Sequence, residues 1–141
     1  MQVTFYYESA IRIRQIRRLK SFIADIFKKE GKQLNQLTYI FCSDEYLLQI
    51  NKQFLKHDFY TDIISFDLSE NARAPILGEI YISTDRVKDN ATIHHSSVEQ
   101  ELHRVIFHGA LHLCGYKDKQ KQQQLTMRSK EDFYLSAYGL L

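Results

Sequence analysis

The sequence predicts an α+β domain, a small mixed four-stranded sheet covered by helices in the order βαβαββααα. Three observations carry this. Four short runs are rich in β-branched and aromatic residues. Between the first of them, apolar residues recur at three- and four-residue steps, the period of a helix with one buried face. After the fourth run the chain shows only helical patterns, three in succession. With 141 residues, 44% of them apolar and 26% charged, residues 1–141 read as a single globular domain. A chain of this length buries roughly two thirds of its unfolded surface, so its core needs no disulfide staples.

The elements follow in order. Gln2 to Tyr7 (QVTFYY) reads as a strand. A helix is expected from about Ser9 to Glu30, with Ile16, Leu19, Ile23, Ile26 and Phe27 on its apolar face and Gly31 ending it. Leu37 to Cys42 (LTYIFC) reads as the second strand. Ser43 then caps a helix whose first residues, Asp44 and Glu45, suit the positive end of its dipole. It runs to about Phe54. Asp62 to Leu68 and Leu77 to Ser83 read as two more strands, joined by a loop holding the only proline, Pro75. Thr84 and Asp85 open a short helix to about Asn90. Ser96 or Ser97 caps the next, with Glu99 and Gln100 placed as in a capping box. Its core stripe is Val98, Leu102, Val105, Ile106, Gly109 and Leu113, and Gly115 is a left-handed stop. A last helix is expected from about Gln120 to Ala137.

Several function classes are excluded at this stage. No apolar run approaches the roughly 18 residues of a membrane span. The start, MQVTFYYES, has neither a basic nor an apolar leader region, so no secretory signal is expected. Cys42 and Cys114 are the only cysteines and read as reduced thiols of a cytoplasmic protein. The net charge is only +2, but it is segregated. From Arg12 to Lys32 eight cations stand against Asp25 and Glu30, a local +6. From Lys117 to Lys130 five cations stand against Asp118, a local +4. Such segregation suggests a polyanion-binding face, the alternative being a solvated helix surface. Arg14, Arg17, Arg18 and Lys117 are the candidate contacts.

The segment that carries chemistry is HGALHLCGYKD, His108 to Asp118. At about 100° per residue, His108 and His112 fall on nearly the same line of a helix, within reach of one metal ion. Gly115 then lets the chain turn back and brings Asp118 near both imidazoles as a third ligand. Three protein ligands leave a fourth position open, as in catalytic rather than structural zinc sites. A lone His-x-x-x-His pair is a weak signal; the glycine turn and the acidic residue strengthen it. The metalloprotease pattern H-E-x-x-H would need Glu where Gly109 stands, so peptide hydrolysis with that general base is disfavoured.

The same segment resembles the signature H-G-x-L-H-L-x-G-Y-D-H of the YbeY family of ribosomal-RNA maturation factors, matched by His108, Gly109, Leu111, His112, Leu113, Gly115 and Tyr116. Leu48 to Leu68 (LNKQFLKHDFYTDIISFDL) resembles the family stretch L-N-x-x-[YF]-R-x-x-D-x-x-T-D-V-L-S-F through Asn51, Asp58, Thr61, Asp62, Ser65 and Phe66. Leu77 to Ser83 (LGEIYIS) resembles its L-G-[DE]-I-x-I-S strand. The resemblance implies a zincin-like metal-bearing helix and one Zn2+ held by His108, His112 and Asp118. It implies a single-strand-specific endoribonuclease of ribosomal RNA, acting in small-subunit 3′ end maturation and ribosome assembly through water at the metal. Expected partners are single-stranded and ribosomal RNA and the ribosome or its assembly proteins, with no DNA and no membrane.

Two positions depart from the family pattern. Its third histidine falls on Asp118, which lowers the net charge of a zinc site from +2 to +1 and should acidify bound water less. An arginine that the resemblance links to phosphate contact or catalysis falls on Leu55, which leaves Lys56 or His57 as the neighbours able to take its place. The remaining polar residues read more plainly. Cys114 reads as a buried thiol, His94 and His95 as solvated or as RNA contacts, and His103 as an exposed helix residue. Glu79 reads as an exposed strand charge or a carboxylate behind the ligands. Glu101, on the helix line of His108, reads as a surface pairing, or as a group that orients a ligand. Two other functions stay open: a non-catalytic RNA- or ribosome-binding assembly factor with structural zinc, and a metal-dependent hydrolase of another substrate.

Overall fold

The structure, a computed structural model, describes residues 2–141. Its elements are β1 (Val3–Tyr7), α1 (Ile16–Lys29), β2 (Leu34–Cys42), α2 (Asp44–Leu55), β3 (Ile63–Asp67), β4 (Ile76–Ser83), α3 (Thr84–Ile93), α4 (Val98–Leu113) and α5 (Lys121–Tyr138). The order is the expected βαβαββααα. The sheet runs β1-β2-β4-β3, with the first three strands parallel and β3 antiparallel to β4 at one edge.

Side-chain alternation gives the sheet two faces. Leu37, Tyr39 and Phe41 of β2, with Ile80 and Ile82 of β4, enter the main core beneath α1, α4 and α5. Tyr39 is fully buried there and donates its hydroxyl to the Ile106 carbonyl (2.8 Å), which satisfies the one polar atom it brings in. On the opposite face Cys42, Ile64 and Tyr81 meet Leu47 and Ile50 of α2 in a smaller cluster. Glu79 lies on this second face, where it accepts a hydrogen bond from the Tyr81 hydroxyl (3.2 Å).

What places the site is how closely α4 lies on the sheet. A Cβ on Gly109 would sit 2.9 Å from the Cδ1 atoms of both Ile63 and Ile80. A larger residue there would push both isoleucine side chains aside. The glycine after His108 thus lets the helix lie close on the sheet, at the position where the metalloprotease pattern has its glutamate.

Four expectations are corrected. The helix expected from Ser9 begins at Ile16. Ile11 and Ile13 pack on the core while Arg12 and Arg14 stay exposed, a two-residue alternation that suits extended chain, and Gln15 takes a left-handed φ of 53° before the helix starts. His103 is buried rather than exposed: its Nδ1 lies 2.6 Å from the Glu99 carbonyl oxygen and its ring packs on Phe107 and Tyr138. Glu101 is likewise buried. The capping box of α4 is half formed. Ser97 accepts from the Gln100 backbone N–H (2.9 Å), but the Gln100 side chain reaches the Leu140 carbonyl instead of turning back to the cap.

Candidate metal centre

α4 ends as the sequence predicts. Gly115 takes φ 108°, its N–H donates to the His112 carbonyl (3.0 Å), and the Tyr116 N–H donates to that of Leu111 (3.1 Å). This left-handed closure turns the chain back along the helix end. Asp118 is thereby brought to the two imidazoles, with Oδ2 3.3 Å from His108 Nε2 and 3.2 Å from His112 Nε2. One ligand atom of each residue lies within 4.8 Å of the others. The two rings stand 4.5 Å apart at 80°, so their nitrogens converge without stacking.

Each histidine is fixed from behind. His108 Nδ1 donates to Glu131 Oε2 (2.5 Å) and His112 Nδ1 donates to the Tyr116 carbonyl (2.9 Å). Both partners only accept, so Nδ1 carries the proton and the Nε2 lone pair faces inward. Two such lone pairs and a carboxylate oxygen converging on one point repel unless a proton or a metal cation sits between them. The donor set therefore fits a divalent metal ion that accepts nitrogen and oxygen, and its geometry leaves room for a further ligand.

A second layer of charge holds this arrangement. Glu131, buried on α5, also accepts from Arg104 Nη1 (3.1 Å), and Arg104 Nη2 reaches Asp132 (2.8 Å). Burial pulls the His108 pKa down, but the hydrogen bond and charge of Glu131, with Asp118 and Asp62, outweigh it and raise the net value. Asp62 lies beside them, its carboxyl pushed up by burial against the lowering effect of His108. Behind the turn, Glu30, the C-cap of α1, accepts from the hydroxyls of Tyr116 (2.6 Å) and Tyr134 and from Lys130 (3.3 Å). It ties α1 and α5 to the residue whose carbonyl orients His112. Burial alone would raise the Glu30 pKa; these three donors bring it below its ordinary value.

A cleft of about 840 Å3 opens over the triad between α4, β3, the middle of α5 and the 57–62 loop. The structure brings His108, His112 and Asp118 together and leaves the other candidates outside. Lys56 is exposed at the left-handed end of α2, and its neighbours Leu55 and His57, not Lys56, line the cleft. Arg14 lines a separate shallow groove with Ile11 and Ile13. Arg18 donates to the Tyr138 carbonyl (2.8 Å) and lies 4.0 Å over that ring. Arg17 and Lys117 are exposed away from the cleft lining. The cations that do line it are Lys119, Arg128 and the paired Arg104, none of which the motif reading singled out. Cys114 is buried, its thiol pushed up to about 12 by burial, as expected of a core cysteine.

The profile of the family described as endoribonuclease YbeY matches residues 5–139. The chain belongs to the YbeY family. It is 53% identical over 132 residues to the endoribonuclease YbeY of Cytophaga hutchinsonii, covering 94% of this chain and 92% of that one. It is 45% identical over 136 residues to that of Flavobacterium psychrophilum, covering 96% of each. The solution structure of TM1509 from Thermotoga maritima is similar at a TM-score of 0.67 and 27% identity, over 96% of this chain and 91% of that one. Against the YbeY signature given above, this chain sets Asp118 where a third histidine is expected, and the turn after Gly115 places its carboxylate beside the imidazoles of His108 and His112.

Proposed function

We propose that this chain is a zinc-dependent, single-strand-specific endoribonuclease that acts on ribosomal RNA, in small-subunit 3′ end maturation and ribosome assembly in the cytoplasm. The observation that carries the proposal is the open three-residue centre, with Nδ1 of each histidine anchored and both Nε2 atoms turned into the cleft. A structural zinc site needs four protein ligands, and among the described residues the cluster offers three. That favours the enzyme over an assembly factor with structural zinc. No helix is long and apolar enough to cross a membrane.

Zinc bound by His108, His112 and Asp118 supplies Lewis acidity toward a phosphoryl oxygen and activates water near neutral pH. The protein's own groups do the rest. Lys119 and Arg128 hold backbone phosphates at the mouth of the cleft. Leu55 offers no charge there, so these two cations, from the opposite wall, carry the anion contact. The Ser65 hydroxyl, buried on the cleft wall without a partner, donates to the bound strand. Asp62 holds a proton more readily than an ordinary carboxylate. His57 and Phe59 stack on each other at 5.0 Å on the cleft rim, and the exposed Phe59 ring gives an unpaired base a surface. A duplex cannot splay its bases onto it, which accounts for the single-strand preference. Arg14, Arg17, Arg18 and Lys117 are outer contacts for RNA running beyond the cleft, Arg18 with only the donors that Tyr138 leaves free. Lys56 stands one residue from the lining.

The test is cleavage of ribosomal RNA by zinc-loaded protein, with His112→Ala prepared in parallel as the contamination control. Cleavage by wild type and none by the variant supports the proposal. Equal cleavage by both, or by neither while both bind RNA, contradicts it.

A further inference from the structure

At the far end of the cleft from Asp118 lies a group that the metal centre does not use. Glu101 stands on the same line of α4 as His108, seven residues earlier, which is about 10 Å along the helix axis. It is 5% exposed, and it lines the cleft with Asn90 and His94. Among the described residues its carboxylate accepts no hydrogen bond. Its one ion-pair contact is with His94, whose Nδ1 is 3.6 Å from Oε2, too far for a hydrogen bond, on a side chain 52% exposed. The other buried acid of α4 and α5 is unlike it, because Glu131 takes hydrogen bonds from both Arg104 and His108. Its side chain is held low in the cleft wall, with the carboxylate still open to the cleft. Here the cleft is the route by which donors reach it.

The cleft thus has two poles. At one, the metal ligands, Lys119 and Arg128 suit phosphate. At the other, Glu101 repels phosphate and accepts hydrogen bonds. We infer that Glu101 reads the base of the bound strand, accepting hydrogen bonds from an amino-bearing edge, that of cytosine, adenine or guanine, and selecting against uracil. This rests on the ribonuclease reading above. Carboxylates accept from cytosine N4 in known base recognition, and a well-made base contact discriminates strongly.

The experiment measures binding of short single-stranded oligocytidylate, oligoadenylate and oligouridylate to zinc-loaded protein by fluorescence anisotropy, with the RNA checked intact on gels. Wild type should bind the amino-bearing oligomers on the order of ten-fold more tightly than oligouridylate. Glu101→Gln, of the same shape but able to donate as well as accept, should abolish that difference while keeping the metal content of wild type. The ligand side gives a second measurement that needs no variant. Replacing cytidine by N4,N4-dimethylcytidine removes the donors, and wild type should then bind the oligomer as weakly as oligouridylate. If wild type and Glu101→Gln bind RNA with the same base preference, or dimethylation changes nothing, the inference is overturned and the ribonuclease reading stands. If wild type binds no RNA, both are overturned.

Discussion

Glu131→Gln tests whether the charge behind His108 maintains the metal centre. The side chain is 6% exposed and joins His108 (2.5 Å) to Arg104 (3.1 Å), itself 11% exposed. Removing one partner of a buried ion pair costs about 3–5 kcal/mol. Glutamine keeps one acceptor oxygen and Arg104 keeps Asp132, so about 3 kcal/mol is expected, at the low end. For a chain of this size that is a fall in melting temperature of about 10 °C. Metal affinity should fall about 10- to 100-fold as well, because His108 loses the negative charge of the acceptor that fixes its tautomer. The two effects separate in the double variant Arg104→Met/Glu131→Leu. Replacing both charges by apolar groups should recover most of the stability and none of the metal affinity. Denaturation of metal-free protein and a zinc titration measure each. Wild-type zinc affinity in Glu131→Gln would refute the account of how the centre is held.

Four further outcomes are expected. Asp118→His should keep the metal and move the pH at which cleavage rises downward, since a +2 site acidifies bound water more than a +1 site; a pH–rate profile checks it. Glu30, held below its ordinary value by Tyr116, Tyr134 and Lys130, stabilises the fold above the ordinary carboxylate range and loses that contribution as pH falls through its lowered value. Glu30→Gln should therefore be less stable than wild type at neutral pH, with the gap closing in acid, as urea denaturation at several pH values would record. Lys119→Gln/Arg128→Gln should flatten the salt dependence of single-strand binding by about 0.7 per lost phosphate contact and abolish cleavage. Arg14→Gln/Arg17→Gln should flatten the slope while sparing cleavage of a short substrate confined to the cleft.

How far the sequence reached can be followed residue by residue. Caps and stops act locally, so Ser43, the Ser96–Ser97 pair and Gly115 declared their helix ends and the element order followed. His108, His112 and Asp118 lie within eleven residues, and one helix turn and one glycine suffice to gather them. Glu131 was not legible in that way, because it reaches His108 from a helix 23 residues on. A signal did exist: it shares a face of α5 with the buried Met127, Tyr134, Leu135 and Tyr138, and an acid on an apolar stripe must be paired. Glu101 and Arg104 carried the same signal on α4. The segment before α1 misled because its isoleucines suit a helix stripe as well as a strand alternation, and only the core beneath Ile11 and Ile13 decides between them.

The central claim is that His108, His112 and Asp118 together hold one metal ion. Elemental analysis of purified, dialysed protein tests it most directly, with wild type, His112→Ala and Asp118→Ala prepared side by side. The account predicts one zinc per chain in wild type and close to none in either variant, since two ligands leave half the coordination sphere to water. Zinc at wild-type stoichiometry and affinity in Asp118→Ala would contradict it.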